Sequence, residues 1–285
     1  MENFPDLVCR KLGNSLIWVA QEFAAPADVA LIADADRLFQ GPGCEIIKDQ
    51  RKIKVARIRI NLGGKARTLF LKRYNAFSWR IPLGSLFWRS GAANALRGAA
   101  LLSSVRIAGA KPVAAVESRR WGMVTKSLFF TEEIAQGKTI DAYWRATLAP
   151  LDGRGGYCRR RSFLRALAWL FRSLHGQSLY HGDLKDVNII VVAGEPGQAD
   201  CFFLLDLETI RKYGRLSHRR RIKNLVQLNR TFGRYVRRTD KLIFLKEYLA
   251  QGFFDRGRKR RWAIMVLRRS ARLDRRKFAA SKVLL

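Results

Sequence analysis

The sequence predicts an α+β chain of two lobes: a small antiparallel sheet toward the N-terminus and a mainly helical part after it. Three observations carry this expectation. Short runs that read as strands, such as Ile53 to Ile60, recur in the first 131 residues. Further on, Phe163, Leu167, Leu170 and Leu174 recur at helical spacing. At 285 residues with 48% hydrophobic content, the chain can bury one large core or two lobes sharing a cleft. We expect residues 1–131 as the N-terminal lobe and 132–285 as the C-terminal lobe.

The elements follow in order. Asp28 is expected to cap a helix through Phe39, which Gly41-Pro42-Gly43 stops. Residues 44–48 and 53–60 read as two strands around the polar turn Asp49-Gln50-Arg51-Lys52. Asn61-Leu62-Gly63-Gly64 turns the chain into an apolar strand, 68–72, that ends in Lys72. Ser90 caps a helix over 90–104, Lys111-Pro112 opens a strand over 113–117, and another strand spans 123–130. Thr131-Glu132-Glu133-Ile134 then reads as a linker. In the C-terminal lobe, Thr139 caps a helix through Leu148. A long core helix over 159–175 ends at Gly176 and packs Trp169 and Phe171 as core. Residues 194–199 turn between strands 189–192 and 201–205, which brings Asn188 and Asp206 to the same end of adjacent strands.

The stretch that speaks of chemistry is His181-Gly182-Asp183-Leu184-Lys185-Asp186-Val187-Asn188 before an apolar strand, with Leu204-Leu205-Asp206-Leu207-Glu208 after it. H-x-D-x-x-x-x-N followed by a strand ending in Asp matches the catalytic apparatus of a bilobal protein-kinase-like fold. Phosphoryl transfer needs a carboxylate near the acceptor hydroxyl and oxygen ligands for magnesium. Asp183 fits the first role, Asn188 and Asp206 the second, and ATP and Mg2+ are the expected cofactors. Lys185 stands within reach of a transferring phosphoryl group, and His181 reads as a scaffold for the loop. The bland alternative is a polar turn between two ordinary strands.

Lys72 ends a strand where a kinase fold places the lysine that grips the nucleotide's phosphates; the alternative is a basic strand edge that discourages pairing. No G-x-G-x-x-G precedes it. Arg51 and Lys52 occupy the place of the phosphate-covering loop and substitute by charge for backbone amides. No acidic residue lies between Asp49 and Glu117, so the helix over 90–104 cannot offer Lys72 a glutamate. The backbone around Glu132 is expected to bind the adenine, while the Glu132 and Glu133 side chains read equally well as solvated charges.

With 55 Lys and Arg against 23 Asp and Glu, the formal net charge is +32, a field that attracts polyanions. Nucleic acid, an anionic membrane and an anionic glycolipid are all candidates on composition alone. Between 254 and 277, eleven Lys or Arg and two Asp interleave with Trp262, Ile264, Met265, Val266 and Leu267. Such a segment is either a solvated face on a core helix or a surface for anionic lipid heads. Cys9, Cys44, Cys158 and Cys201 are scattered, suggesting neither zinc nor disulfides. The sequence shows no secretory leader and no eighteen-residue apolar window, so we expect a cytoplasmic protein that touches a membrane from outside if at all.

These motifs resemble the lipopolysaccharide core kinases, the Kdo kinase and heptose kinase group with a protein-kinase-like fold. The likeness runs from Lys48-Asp49 through Phe70-Leu71-Lys72-Arg73-Tyr74, Lys111-Pro112-Val113-Ala114, Thr131-Glu132 and the His181 to Asn188 loop, to Asp206-Leu207-Glu208. It continues into Arg221-Ile222-Lys223-Asn224-Leu225-Val226-Gln227-Leu228-Asn229-Arg230. By this resemblance Lys72 binds ATP phosphates, Asp183 is the base, and Asn188 and Asp206 hold Mg2+. The acceptor is a sugar hydroxyl of the inner core, phosphorylated at the cytoplasmic side of the inner membrane. An anionic glycolipid substrate and an anionic membrane surface are then the expected partners, with nucleic acid the less favoured. Asp206-Leu207-Glu208 lacks the Gly of D-F-G, as this group often does, and Asn224 stands where the pattern tends to an Asp. Two other readings stay open. One is a kinase of another small molecule or protein, because His181-Gly182-Asp183 also begins this loop in aminoglycoside-type phosphotransferases. The other is a catalytically weak kinase-like protein that binds membrane or nucleic acid through its basic face.

Overall fold

The computed structural model describes residues 7–75, 89–195 and 198–282, with side chains placed to residue 276. The chain divides into two units. The first takes its described residues from Met1–Ser103, Gly109–Ile134 and Leu207–Thr209, the second from Ser104–Ala108, Ala135–Asp206 and Ile210–Leu285.

Among the described residues of the first unit, seven strands form one antiparallel sheet. They are β1 (Leu7–Leu12), β2 (Ser15–Ala20), β3 (Cys44–Gln50), β4 (Ile53–Leu62), β5 (Lys65–Tyr74), β6 (Pro112–Arg120) and β7 (Met123–Glu132), in the order β1-β2-β6-β7-β5-β4-β3. The alternation read from the sequence sets the faces. Ile17, Val19, Ala56, Ile58, Leu69, Leu71, Leu128 and Phe130 are all buried in one cluster, to which helix α1 (Pro26–Ala33) adds Val29 and Ile32. Successive strand residues point to opposite faces, so Lys72, which follows Leu71 and pairs with Phe129, projects from the other face. Helix α2 (Gly91–Ser103) covers that face: its Ala92 amide donates to Ser127 Oγ at 3.0 Å. Ser90 caps α2 as expected, accepting from the Ala93 amide at 3.1 Å.

Several expectations for this unit need correction, among them the strand end at Lys72, since β5 starts at Lys65 and runs on to Tyr74. The helix drawn from Asp28 to Phe39 is shorter, ending at Ala33 before a separate 3-10 turn, Arg37–Gln40. Pro26 at its start presets the first turn, and Asp28 does not cap it. The Asp28 carboxylate instead accepts from the Gly63 amide, 3.2 Å from each oxygen. Gly63 has φ +61°, and a side chain there would meet the Phe23 ring at 3.1 Å, so the β4–β5 turn requires glycine. The strand before the expected linker also runs further, through Glu132, leaving Glu133 and Ile134 to follow it.

The second unit is mostly helical. A short helix α3 (Ile140–Tyr143) continues into a π-turn, Trp144–Leu148. Helix α4 (Gly153–Gly176) starts at Gly153 rather than Arg159 and buries Phe163, Leu164, Leu167, Leu170, Phe171 and Leu174. Trp169, expected in that core, is 59% exposed; two positions past Leu167, it is carried round to the opposite side of the helix. Strand β8 (Lys138–Thr139) flanks β10 (Ile189–Val192), which pairs with β11 (Cys201–Leu204), while β9 (Leu179–His181) pairs with β12 (Ile210–Lys212). Helices α5 (His218–Arg230), α6 (Arg238–Leu249) and α7 (Arg256–Lys282) complete it, α6 packing on α4 and α7 on α5. Among the described residues, no helix is long and apolar enough to cross a membrane.

Candidate active site

The loop from His181 to Asn188 leaves β9, makes a 3-10 turn over Asp186–Asn188 and enters β10. His181 is buried and clamps both ends. Its Nε2–H donates to the Leu205 carbonyl at 2.8 Å, and its Nδ1 accepts from the Asp183 amide at 3.2 Å, which makes it the scaffold the sequence suggested. Asp183 faces outward with 40% of its side chain exposed, and Lys185 Nζ lies 2.6 Å from its Oδ2. Lys185, expected to reach a transferring phosphoryl group, is paired with the Asp183 carboxylate. Asn188 Nδ2 donates to the Asp183 carbonyl at 2.7 Å and to Asp183 Oδ2 at 3.2 Å. These bonds fix the amide, so Asn188 Oδ1 and Asp183 Oδ1 are the oxygens without a hydrogen bond among the described residues.

Asp206 joins this group through the backbone. The Leu205 amide donates to the Asn188 carbonyl at 2.9 Å, and the Leu204 amide to the Ala108 carbonyl at 3.0 Å. Asp206 itself has φ +57°. Left-handed backbone costs a non-glycine residue roughly 1–2 kcal/mol and persists where neighbours over-determine it; here the His181 and Asn188 bonds to Leu205 do so. Asp183, Lys185, Asn188 and Asp206 are therefore assembled in one unit.

A donor set of one carboxylate and one amide oxygen suits Mg2+, which binds few protein groups and keeps waters and phosphate oxygens. It suits zinc poorly, and the described residues contain no cluster of three or more His, Cys, Asp or Glu able to hold a metal alone.

Lys72 lies in the first unit with only 17% of its side chain exposed, and its ammonium pairs with the Glu208 carboxylate, itself 15% exposed. The Tyr74 ring stands 5.2 Å from Nζ. Arg51 and Lys52 form the exposed tip between β3 and β4. The amides of Glu132 and Glu133, expected near an adenine, are both donated in the protein, to the Lys111 carbonyl at 3.0 Å and the Thr68 carbonyl at 3.3 Å. Their carboxylates are paired as well: Glu132 with Lys111 at 3.0 Å, and Glu133 with Arg57 at 2.7 Å. The Arg57 hydrogen bond holds the Glu133 carboxyl below the usual range.

Several supporting residues carried no role in the sequence reading. Asn224, fully buried on α5, donates to the His181 carbonyl at 2.7 Å and to Gln227 Oε1 at 2.9 Å. Gln227 donates to the Gly182 carbonyl at 2.8 Å and accepts from the Leu184 amide at 3.3 Å. The loop's backbone is thus read by two neutral amides, and Asn224 serves as a hydrogen-bond hub where an acid was the pattern. His175 Nε2–H donates to Asn224 Oδ1 at 3.0 Å, and the Tyr248 hydroxyl donates to His175 Nδ1 at 2.8 Å. Burial lowers His175 to about 4 and raises Tyr248 to about 12. Asp186 is buried too, which pushes its carboxyl up, and it accepts from the Val187 amide at 2.9 Å. Only the Asn224 and Gln227 spacing on one helix face hinted at this network.

The chain has known relatives. A solved structure described as WaaP in complex with acyl carrier protein aligns over 84% of this chain and 92% of its own, with TM-score 0.61 and 18% identity, a likeness of fold. No curated protein sequence matches the chain significantly. The model of the lipopolysaccharide kinase (Kdo/WaaP) family matches residues 79–248. That span exceeds half of the chain and contains the whole loop from His181 to Asp206: this protein belongs to the lipopolysaccharide kinase (Kdo/WaaP) family and is a kinase of sugar hydroxyls in the lipopolysaccharide core.

Proposed function

We propose that the kinase transfers the γ-phosphate of magnesium-bound ATP to a hydroxyl of an inner-core Kdo or heptose, at the cytoplasmic face of the inner membrane. The observation that carries the reading is the Asp183 carboxylate, held on one oxygen by Lys185 and Asn188 and open on the other. Magnesium-bound ATP supplies the phosphoryl group and neutralises charge at its leaving oxygen. Asp183 Oδ1 orients the acceptor hydroxyl and takes its proton as the new oxygen–phosphorus bond forms. Lys185 keeps the carboxylate aimed, Asn188 Oδ1 and Asp206 hold the metal, and Lys72 holds the phosphates. Arg51 and Lys52 add positive charge for the same phosphates. The basic surface concentrates an acceptor that bears phosphates and acidic sugars. Mass spectrometry of core oligosaccharide from cells with and without the protein tests this. We expect one phosphate to be lost from a Kdo or heptose in its absence, and an unchanged core overturns the reading.

A carrier partner also has support. An apolar cavity of about 510 Å³ is lined by Leu164, Leu225, Leu228, Phe232, Phe244 and Val266, with Lys241 also in its wall. Burial lowers the Lys241 ammonium, an effect Arg238 adds to. The cavity contains none of the loop residues. A cavity of this size and lining takes an alkyl chain, and one relative is described with acyl carrier protein. We read the cavity as the receptor for an acyl chain brought by such a carrier. Leu228→Trp, which fills it, should abolish co-purification of acyl carrier protein while leaving phosphate transfer within about threefold. Undiminished co-purification contradicts the reading.

A further inference from the structure

We propose that Glu208 is the positioning residue for Lys72, doing from the segment after Asp206 what an acid on the sheet-covering helix does in an ordinary kinase. The inference rests on the reading of Lys72 as the phosphate lysine. Three observations within the first unit support it. First, the sequence contains no Asp or Glu from residue 50 to 116, so neither the sheet strands β4 and β5 nor helix α2 can supply an acid. Second, the Glu208 carboxylate is already paired with the Lys72 ammonium, and both side chains are more than four-fifths buried. A lysine that deep needs an anion to stay charged. Third, α2 is shaped to admit the segment that carries Glu208. A side chain at Gly98 would stand 2.0 Å from the Leu207 carbonyl oxygen, so glycine lets the backbone of Leu207–Thr209 lie against the helix. The helix that would hold a glutamate has instead a bare backbone, and the glutamate arrives on the segment docked there.

The arrangement changes what orders the lysine. Glu208 follows Asp206 by two residues, so the acid that holds the phosphate lysine and the acid assigned to the metal are carried on one short piece of chain. In a kinase with a helix acid, a shift of the helix can break the pair; here the pair depends on the backbone of the metal-ligand segment. Asp206's left-handed φ is part of that backbone path.

Kinetics with varied ATP and fixed lipopolysaccharide acceptor test the inference, using Glu208→Gln, Glu208→Asp, Lys72→Met and the Lys72→Met/Glu208→Gln double variant. We expect Glu208→Gln to lower kcat/KM for ATP about a hundredfold, mostly through KM, with the acceptor KM unchanged and the protein still folded at the assay temperature although its melting temperature falls. Glu208→Asp should recover at least a tenth of the wild-type value. In the Lys72→Met background, Glu208→Gln should cost less than about threefold more, because the partner is already gone. Glu208→Gln within about threefold of wild type for ATP, or a loss that multiplies in full with that of Lys72→Met, overturns the inference while the lysine assignment stands. Lys72→Met with normal ATP use overturns both.

Discussion

Asp206 shows in a single residue how the site is paid for in conformation. Its φ of +57° is tolerated because the preceding Leu205 is bonded by amide and carbonyl, to Asn188 and His181. Sequence alone located Asp206 from its place at a strand end, but not its strained backbone, since that follows from long-range bonds. His175 is the matching case in the support network. Its imidazole sits neutral between Tyr248 and Asn224, lowered by burial to about 4 from an ordinary 6.5. The unfolded chain therefore binds a proton below about pH 6.5 that the folded one refuses, so stability falls as pH drops from 6.5 toward 4. The loss should reach about 3 kcal/mol. Urea unfolding of the wild type and His175→Gln from pH 7 to 4.5 checks it: the wild type should lose stability more steeply. Parallel curves would contradict the assignment of His175 as a buried neutral group.

At the level of elements, legibility followed the range of the interaction that fixes each one. The strands β4, β5, β6 and β7 and the cap at Ser90 are set by local alternation and capping, and the sequence located them to within a few residues. Local signals failed where a distant partner intervened, as where the Asp28 side chain binds the Gly63 amide rather than capping its helix; Trp169 is a different case, turned from the core of α4 by helical spacing alone. The closeness of Asp183, Asn188 and the backbone leading to Asp206 could be read from the loop motif because spacing along one chain segment suffices. Glu208 was visible as a residue but not as a partner, since nothing local joins it to Lys72 across 136 positions. Helix α7 carries the membrane reading. Trp262 and Ser270 turn inward, while Arg258, Arg260, Arg261, Arg268, Arg269, Arg272, Arg275 and Arg276 are exposed beside Leu267 and Leu273. Each basic residue near an anionic surface contributes about 1 kcal/mol. Replacing Arg258, Lys259, Arg260 and Arg261 with Gln should weaken binding to anionic vesicles about a hundredfold or more. Wild-type binding that is insensitive to salt, or equal on neutral vesicles, would rule out this surface.

For the whole molecule, the excess of 55 basic over 23 acidic side chains makes sense beside a polyanionic acceptor. The family assignment makes the chain a kinase of the lipopolysaccharide core, and in the reading proposed above the His181 to Asp206 region supplies its base and two oxygen ligands, with Asn188 bonded to Asp183. Charge explains attraction and orientation, not chemistry, so a variant without the base should keep its affinity for the acceptor while losing turnover. The most direct measurement is transfer of labelled γ-phosphate from ATP to purified core lipopolysaccharide by wild type and Asp183→Asn, with magnesium and with excess chelator. Wild type with magnesium should label the acceptor. Asp183→Asn should transfer at least about a thousandfold more slowly yet bind acceptor normally, and chelator should stop transfer in both. Turnover by Asp183→Asn within about tenfold of wild type, or full activity under chelation, would contradict the account.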